Sequence, residues 1–171
     1  MTDLPPIAAH TDRITIYCEP GWYRDYAPGL WQAHSDFVIL WRGRFIHLPA
    51  TDAEPGMVLD MYSIPFWIRW KWPKNRGQGN KPAMAHDATR RFWRILGLSV
   101  LESDQLFLDA MRAVGMREAG LFYAAVRLQG MTRGAPGDGT PPRDVRRAMA
   151  DRGDCWRKYA VRVERANLKN N

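Results

Sequence analysis

Residues 36–48, with the sequence DFVILWRGRFIHL, contain two runs of strand-forming residues around a short step with one glycine. Aromatic and β-branched side chains favour pleated strands. A short step that contains glycine favours a tight turn between two antiparallel strands. Pro49 follows the second run and ends it, because proline cannot donate a hydrogen bond to a strand ladder. These residues therefore predict a β-hairpin.

The sequence on either side of this hairpin is also typical of strands. Residues 13–18 (RITIYC) alternate between outward and inward positions and end at Glu19-Pro20-Gly21. A short apolar piece, residues 57–59, leads to Asp60. The first half of the chain is therefore predicted to be a small antiparallel β-structure made of hairpins.

The second half has helical patterns, with three predicted helices. The first runs from about residue 81 to residue 96, with Pro82 in its first turn and Gly97 after its end. The second runs from residue 100 to residue 114 and begins with a capping box formed by Ser99 and Glu102. The third covers about residues 118–129. The predicted fold class is α+β, with a three-helix unit after the small sheet.

The composition divides the chain into three parts. Residues 130–142 include four glycines and three prolines, a composition typical of linkers. We predict a globular α+β domain over residues 1–130, a linker over 131–142 and a basic helical arm over 143–171, interrupted at Gly153. The arm is expected to pack on another chain, or on the body only in an assembled state.

The overall composition is that of a folded protein. The chain has 171 residues, of which 46% are hydrophobic and 25% charged. No apolar run approaches the ~20 residues of a membrane-spanning helix, and the first ten residues do not resemble a secretory signal. Cys18 and Cys155 form neither a disulfide framework nor a zinc pattern, which favours synthesis in a reducing cytoplasm.

Positive charge is concentrated in two segments. The net charge is +7, with eight basic residues and one acid over residues 69–94 and nine basic residues and four acids over residues 143–169. Such segments attract any polyanion, whether nucleic acid, anionic lipid, an anionic cell-wall polymer such as teichoic acid, or an acidic protein partner. The alternative is ordinary solubilising charge.

His86 and Asp87 are the first candidate site residues. Helical periodicity places His86 at the boundary of the apolar face of the first predicted helix, and it places Asp87 on the other side, near Arg91 and Arg94. A boundary histidine can titrate near neutral pH or bind a metal. The alternative is a histidine that is simply hydrogen-bonded to a neighbouring loop.

Asp104 is the second candidate. It lies within the apolar face of the second predicted helix, where a carboxylate needs a cation, a metal or several donors. It is either part of a buried salt bridge or a site acid. We expect it near His86 or Asp60. His86 and Asp104 differ in depth by roughly 8–10 Å along the helices, so direct contact requires crossed helices. An intermediary such as Arg90, Asp60 or an ion is preferred over direct contact.

Asp60 and Ser63 form a third candidate at the end of a short strand, where loops often carry functional groups. Ser63 is a candidate nucleophile, although an Asp/Ser turn would explain both residues.

A tryptophan- and cation-rich strip follows and is predicted to be a contact surface, with Trp156 of the arm as a further interface residue. The strip consists of Trp67, Arg69, Trp70, Lys71 and Trp72.

Four of these segments occur in an order that resembles a family of small tailed-phage and prophage proteins of unknown function. They are Asp60-x-x-Ser63-Ile64-Pro65, His86-Asp87, residues 103–115 (SDQLFLDAMRAVG) and residues 123–130 (YAAVRLQG). The resemblance covers residues 45–130, about half of the chain. It implies functional roles for His86, Asp87, Asp104 and Asp60.

The resemblance favours a virion-associated protein of the tail tip or baseplate, made in the bacterial host cytoplasm, with other phage structural proteins as partners. Hydrolase activity on the host envelope is an open addition, with His86, Asp87, Asp104, Asp60 and Ser63 as its catalytic residues. One divalent ion held by His86, Asp87 and Asp60 would suit such an enzyme, and so would a metal-free His-Asp general base. The further alternative is a non-enzymatic assembly or nucleic-acid-contacting structural protein.

Overall fold

The computed structural model describes residues 4–60, 79–130 and 137–168. Strands fill the first described range and helices fill the other two, so the α+β class is confirmed. The strands are β1 (Ile7–His10), β2 (Ile14–Cys18), β3 (Tyr23–Ala27), β4 (Leu30–Ala33), β5 (Phe37–Trp41), β6 (Arg44–Leu48) and β7 (Val58–Leu59). The helices are α1 (Asn80–Phe92), α2 (Val100–Ala113), α3 (Ala119–Gly130), α4 (Arg143–Ala150) and α5 (Trp156–Leu168).

The strands form two antiparallel sheets. One has the order β1-β2-β5-β6 and the other the order β3-β4-β7. The predicted hairpin is confirmed, with Ile39 of β5 opposite Ile46 of β6. Its two turn residues, Arg42 and Gly43, both have positive φ, at 49° and 77°. Two positive φ values match the right-handed twist of the flanking strands, which explains why a glycine is useful here.

The three central helices follow one another along the chain, and α2 packs against both α1 and α3. The predicted capping box is present, since Ser99 Oγ accepts from the backbone N–H of Glu102 and Glu102 accepts from that of Ser99. The core between sheet and helices includes Trp41, Phe92 and Phe107, all fully buried. Among the described residues, no helix is long and apolar enough to cross a membrane.

Helix α1 is buried on nearly every side, with 11 of its 13 residues inaccessible. Helix α2 covers one face. The opposite side is covered by residues that follow much later, because the backbone N–H of Gly139 donates to the carbonyl of Arg91 at 2.8 Å. The ring of Tyr159 packs edge-on against Phe92, with centroids 5.6 Å apart. A helix covered in this way does not have the single apolar face that its sequence suggests.

The two C-terminal helices are part of the body, so the prediction of a separate arm over residues 143–171 is wrong. Ala160 and Val163 of α5 lie in the same core as the sheet and α1. Val145 and Met149 of α4 are buried with Tyr26 and Val58 in a second cluster.

The glycine-rich segment before α4 packs closely too, in its described part, residues 137–142. Gly139 has φ +90°, and a Cβ placed on it would lie 2.4 Å from Phe92. Gly139 therefore permits close packing. The glycine- and proline-rich composition of the segment had indicated free movement instead.

The end of α5 satisfies backbone groups of an outer strand. Asn167 accepts a hydrogen bond from the backbone N–H of His47 at 3.0 Å and donates one to the carbonyl of the same residue at 2.9 Å. His47 belongs to β6, which is the last strand of its sheet. The side-chain amide thus pairs with the strand as a neighbouring strand would, and an otherwise open sheet edge is partly closed.

We predict that Val163→Ala lowers the free energy of unfolding by about 2 kcal/mol, since Val163 is 0% exposed. Val161→Ala, two residues away on the same helix and 43% exposed, is the matched control and should cost less than about 0.5 kcal/mol. Urea denaturation followed by circular dichroism measures both. Equal and negligible effects would show that α5 is not packed on the body.

Candidate functional site

Small side chains at the crossing of α1 and α2 bring the two helices close together. Ala85 and Ala88 of α1 are fully buried, and Ser103 Oγ of α2 donates to the carbonyl of Thr89 at 3.2 Å. The short approach at Ser103 and Thr89 allows side chains that flank it to meet directly. His86 lies one turn before Thr89, and Asp104 directly follows Ser103.

His86 and Asp104 are in direct contact. His86 Nε2 lies 3.3 Å from Asp104 Oδ1, and His86 Nδ1 lies 3.8 Å from Asp87 Oδ1. The ring also packs on Phe107, with ring centroids 4.5 Å apart. His86 is only 6% exposed. Both nitrogens of the imidazole thus face carboxylates inside the protein.

Asp104 is fully buried and has cationic partners from two helices. Arg127 Nη1 of α3 donates to Asp104 Oδ2 at 3.0 Å, and Arg90 Nη1 of α1 lies 3.6 Å from Oδ1. With His86, the carboxylate therefore faces three cationic or ionisable groups. The buried salt bridge that the sequence left open is present, and it is a network rather than a pair.

Asp87 and Asp60 lie on the side of α1 that carries Arg91. Arg91 is buried, and Nη1 donates to the carbonyl of Val58 at 2.6 Å. Burial lowers the pKa of Arg91, while the charges of Asp87 and Asp60 act in the opposite direction. Among the described residues, Asp87 Oδ2 and Arg91 Nη2 make no hydrogen bond. The charge of Asp60 therefore acts on Arg91.

The structure corrects three details of the predicted site. His86 is buried rather than at a half-covered boundary, and Asp87 is buried at 4% exposure rather than facing outward. The prediction of an intermediary between His86 and Asp104 is wrong. Because α1 and α2 cross near Thr89, the expected difference in depth between the two residues along the helices does not keep them apart. The expectation that Asp104 would lie within reach of His86 is confirmed.

Several other predicted residues lie outside the described residues. These are Ser63, Trp67, Arg69, Trp70, Lys71 and Trp72. Trp156 is described and is partly buried, and it packs against both apolar clusters of the body. Trp156, which was predicted to contact another protein, therefore packs within this chain.

The pKa values of His86 and Asp104 are shifted in opposite directions. Burial alone would lower the pKa of His86, but hydrogen bonding to Asp104 and the charge of Asp87 raise it above its ordinary range. Burial alone would raise the pKa of Asp104, but His86 and Arg127 lower it below its ordinary range. The favoured state pairs a protonated imidazolium of His86 with the ionised carboxylate of Asp104.

The residues that the sequence assigned to a metal do not converge on one point. Among the described residues, no three His, Cys, Asp or Glu side chains are arranged to hold an ion. His86 directs both nitrogens at carboxylates, and Asp60 lies on the Arg91 side of α1. The set His86, Asp87 and Asp60 therefore does not fit a divalent ion as arranged here.

Sequence analysis did not identify Arg127 as a site residue. Its signal is nevertheless present, since Arg127 is the one charged residue in the sequence of α3 (AGLFYAAVRLQG). A single cation in an apolar helix requires a buried partner for the same reason that Asp104 does. Considered together, the acid Asp104 in α2 and the single cation Arg127 in α3 would have predicted that these two helices are in contact.

We predict that Asp104→Asn lowers the free energy of unfolding by about 3–5 kcal/mol, because it leaves buried cations without a counter-charge. Glu164→Gln, an exposed change of the same kind on α5, is the control and should stay within about 0.5 kcal/mol. Chemical denaturation measures both. A wild-type stability for Asp104→Asn would be incompatible with the network described here.

We predict a loss of stability at alkaline pH that depends on His86. A raised folded-state pKa means that the protonated ring stabilises the fold fully below its unfolded pKa of about 6.5, and this stabilisation is lost as the pH rises through the folded value. His86→Gln should remove this slope in urea titrations above pH 6.5. His10→Gln, at an exposed position, should keep it. An unchanged slope in His86→Gln would assign the dependence to another group.

Comparison with known proteins connects this site to one family. Residues 45–126 match a family described as "Protein of unknown function (DUF1353)". No curated protein and no solved structure matches the chain. The matched segment begins in β6 and ends in α3, so it contains His86, Asp87, Asp104 and Asp60. The chain is thus similar, over the segment that forms the buried cluster, to a family that has no assigned activity.

Proposed function

We propose that this protein is a non-catalytic structural component of a tailed-phage particle, at the tail tip or baseplate, made in the host cytoplasm. In this proposal the cluster of His86, Asp87 and Asp104 locks the helices together. The observation that carries it is the enclosure of His86, which is 6% exposed with each ring nitrogen facing a carboxylate.

The enclosure of His86 disfavours general-base chemistry. A general base has to be neutral at the working pH and within hydrogen-bond reach of the proton that it removes. His86 has a raised pKa, and its ring is held between Asp104, Asp87 and Phe107. An imidazolium between two carboxylates instead contributes charge pairing, which is a structural role.

Assignment to a phage particle rests on the sequence segments between residues 60 and 130 that resemble tailed-phage proteins. An exposed apolar stripe on α3 supports contact with other structural proteins. Leu121 and Leu128 of α3 are 43% and 65% exposed, and Ala124 between them is also exposed. Apolar side chains clustered on one exposed helix face are typical of interaction surfaces.

Hydrolysis of the host envelope is the second candidate, and one observation points toward it. Asp87 Oδ2 and Arg91 Nη2 are buried and, among the described residues, without a hydrogen-bond partner, and both lie on the side of α1 that faces Asp60. Unsatisfied buried polar atoms occur at active sites as well as beside ordered water. This candidate uses Asp87 and Asp60, and it does not require His86 as a base.

We predict that the protein copurifies with intact particles in mass spectrometry of density-gradient fractions from the induced host. We also predict that purified wild-type protein and the His86→Gln variant release no soluble fragments from host cell walls. A heat-inactivated sample is the control for the release assay. Absence from particles, together with wall release that is lost in Asp87→Asn, would replace the structural proposal with the hydrolase.

A further inference from the structure

Helix α4 presents a face of arginine side chains to solvent. Arg143, Arg146 and Arg147 are all exposed, and they fall within an arc of about 100° around the helix. Val145 and Met149 lie on the opposite side and are buried. We call Arg143, Arg146 and Arg147 the arginine face.

The arginine face makes no ion pair within the described part of the chain, and Asp151, the C-cap of α4, lies one turn beyond Arg147. The described ion pairs use other arginines, such as Arg44, Arg127 and Arg162, and none involves the arginine face. The one acid on α4, Asp144, lies beside the face in the first turn of the helix. Three guanidinium groups within five residues, a rise of about 6 Å along the helix, therefore direct their charge to solvent.

The scaffold beneath this face is rigidly attached to the body. Val145 is fully buried against the cluster that contains Tyr26 and Val58. Just beyond α4, the Tyr26 hydroxyl donates to Asp154 Oδ2 at 2.5 Å. The arginines are thus held at fixed backbone positions, and binding does not require the helix itself to become ordered.

Two further exposed arginines, after the end of α4, lie beside aromatic rings. Arg152 lies over the ring of Tyr26, with the guanidinium carbon 4.7 Å from the ring centroid, and Arg157 lies 5.5 Å from that of Trp156. Both arginines are exposed. Arginine binds phosphate in a bidentate manner and stacks on planar groups, which a lysine ammonium cannot do.

We propose that the arginine face is a binding surface for the phosphate backbone of nucleic acid. Duplex DNA carries one negative charge per ~1.7 Å of its axis, a density that matches cations crowded on one short helix. Acidic protein surfaces offer sparser carboxylates interspersed with cations, so they complement this face less well. Backbone binding of this kind is largely independent of sequence. The inference does not depend on the function proposed above.

The test is fluorescence anisotropy of the full-length chain with a labelled 20-bp DNA duplex at low salt. Replacement of the three arginines by glutamine (Arg143→Gln, Arg146→Gln and Arg147→Gln together) should weaken binding about 10- to 100-fold. It should also reduce the slope of log K against log salt by about 2–3. Replacement of the same residues by lysine should preserve most of that slope, because the charges remain.

The matched control replaces three exposed arginines elsewhere, Arg24, Arg112 and Arg117, by glutamine and changes the net charge equally. It should weaken binding less than about threefold. Equal weakening by both triple variants would overturn the proposal in favour of a general charge effect. Competition by poly-glutamate that is as strong as competition by unlabelled duplex would overturn it in favour of an acidic protein partner.

A measurement on the unmodified chain keeps the proposal testable if the triple variant fails to fold. Phenylglyoxal labels exposed arginines, and mass spectrometry reports the extent of labelling at each one. Bound duplex should protect Arg143, Arg146 and Arg147 at least threefold more than Arg112 and Arg117. Uniform protection, or no binding at low salt, contradicts the assignment of the site to α4.

Discussion

Asp104 places a negative charge where no water reaches it, and two neighbouring helices supply the cations that such a charge needs. His86 and Arg90 come from α1 and Arg127 comes from α3, while Asp104 itself belongs to α2. Neither neighbouring helix can rotate or slide without separating a buried charge from its partner. The positions of α1 and α3 relative to α2 are therefore set by this carboxylate as well as by apolar packing, which has little directional preference.

The need of buried carboxylates for partners also accounts for other contacts of α2. The small residues at the crossing of α1 and α2 allow His86 to reach Asp104, and Phe107 packs on the imidazole ring. A second carboxylate of α2, Asp109, accepts a hydrogen bond from Trp41 Nε1 at 2.9 Å and faces Arg42 at 3.6 Å. In α2, Asp104 therefore pairs with side chains of the other helices, and Asp109 pairs with side chains of the sheet.

Local features could be predicted from the sequence, and long-range ones could not. The hairpin over residues 36–48 and the capping box of Ser99 and Glu102 depend on neighbouring residues, so their patterns are sufficient. The burial of Asp87 depends on chain segments far away in the sequence. Glycine poses a further ambiguity, because the same residue type marks flexible linkers and tight contacts. Gly139 belongs to the second kind, and composition alone favoured the first.

The candidate site likewise combines features that could be predicted from the sequence with features that could not. The need of Asp104 for a partner followed from its place on an apolar helix face, and His86 was named among the partners. Arg127 was not named, because as the one charged residue in the sequence of α3 it signals only that it needs a partner, and that partner is identified only when Asp104 of α2 is considered with it. The β3–β4 hairpin around Pro28-Gly29 was also missed, since its strands carry charged residues such as Arg24 and Asp25 in place of an apolar run.

The contribution of Val163 to the central core has a consequence for synthesis on the ribosome. The sheet and the first three helices emerge before α5, and until α5 follows they lack side chains that cover Phe92 and the outer edge of β6. Domains generally fold as units during synthesis. This chain therefore has to retain a partly open apolar surface until residue 167 emerges, and folding is completed only at that point.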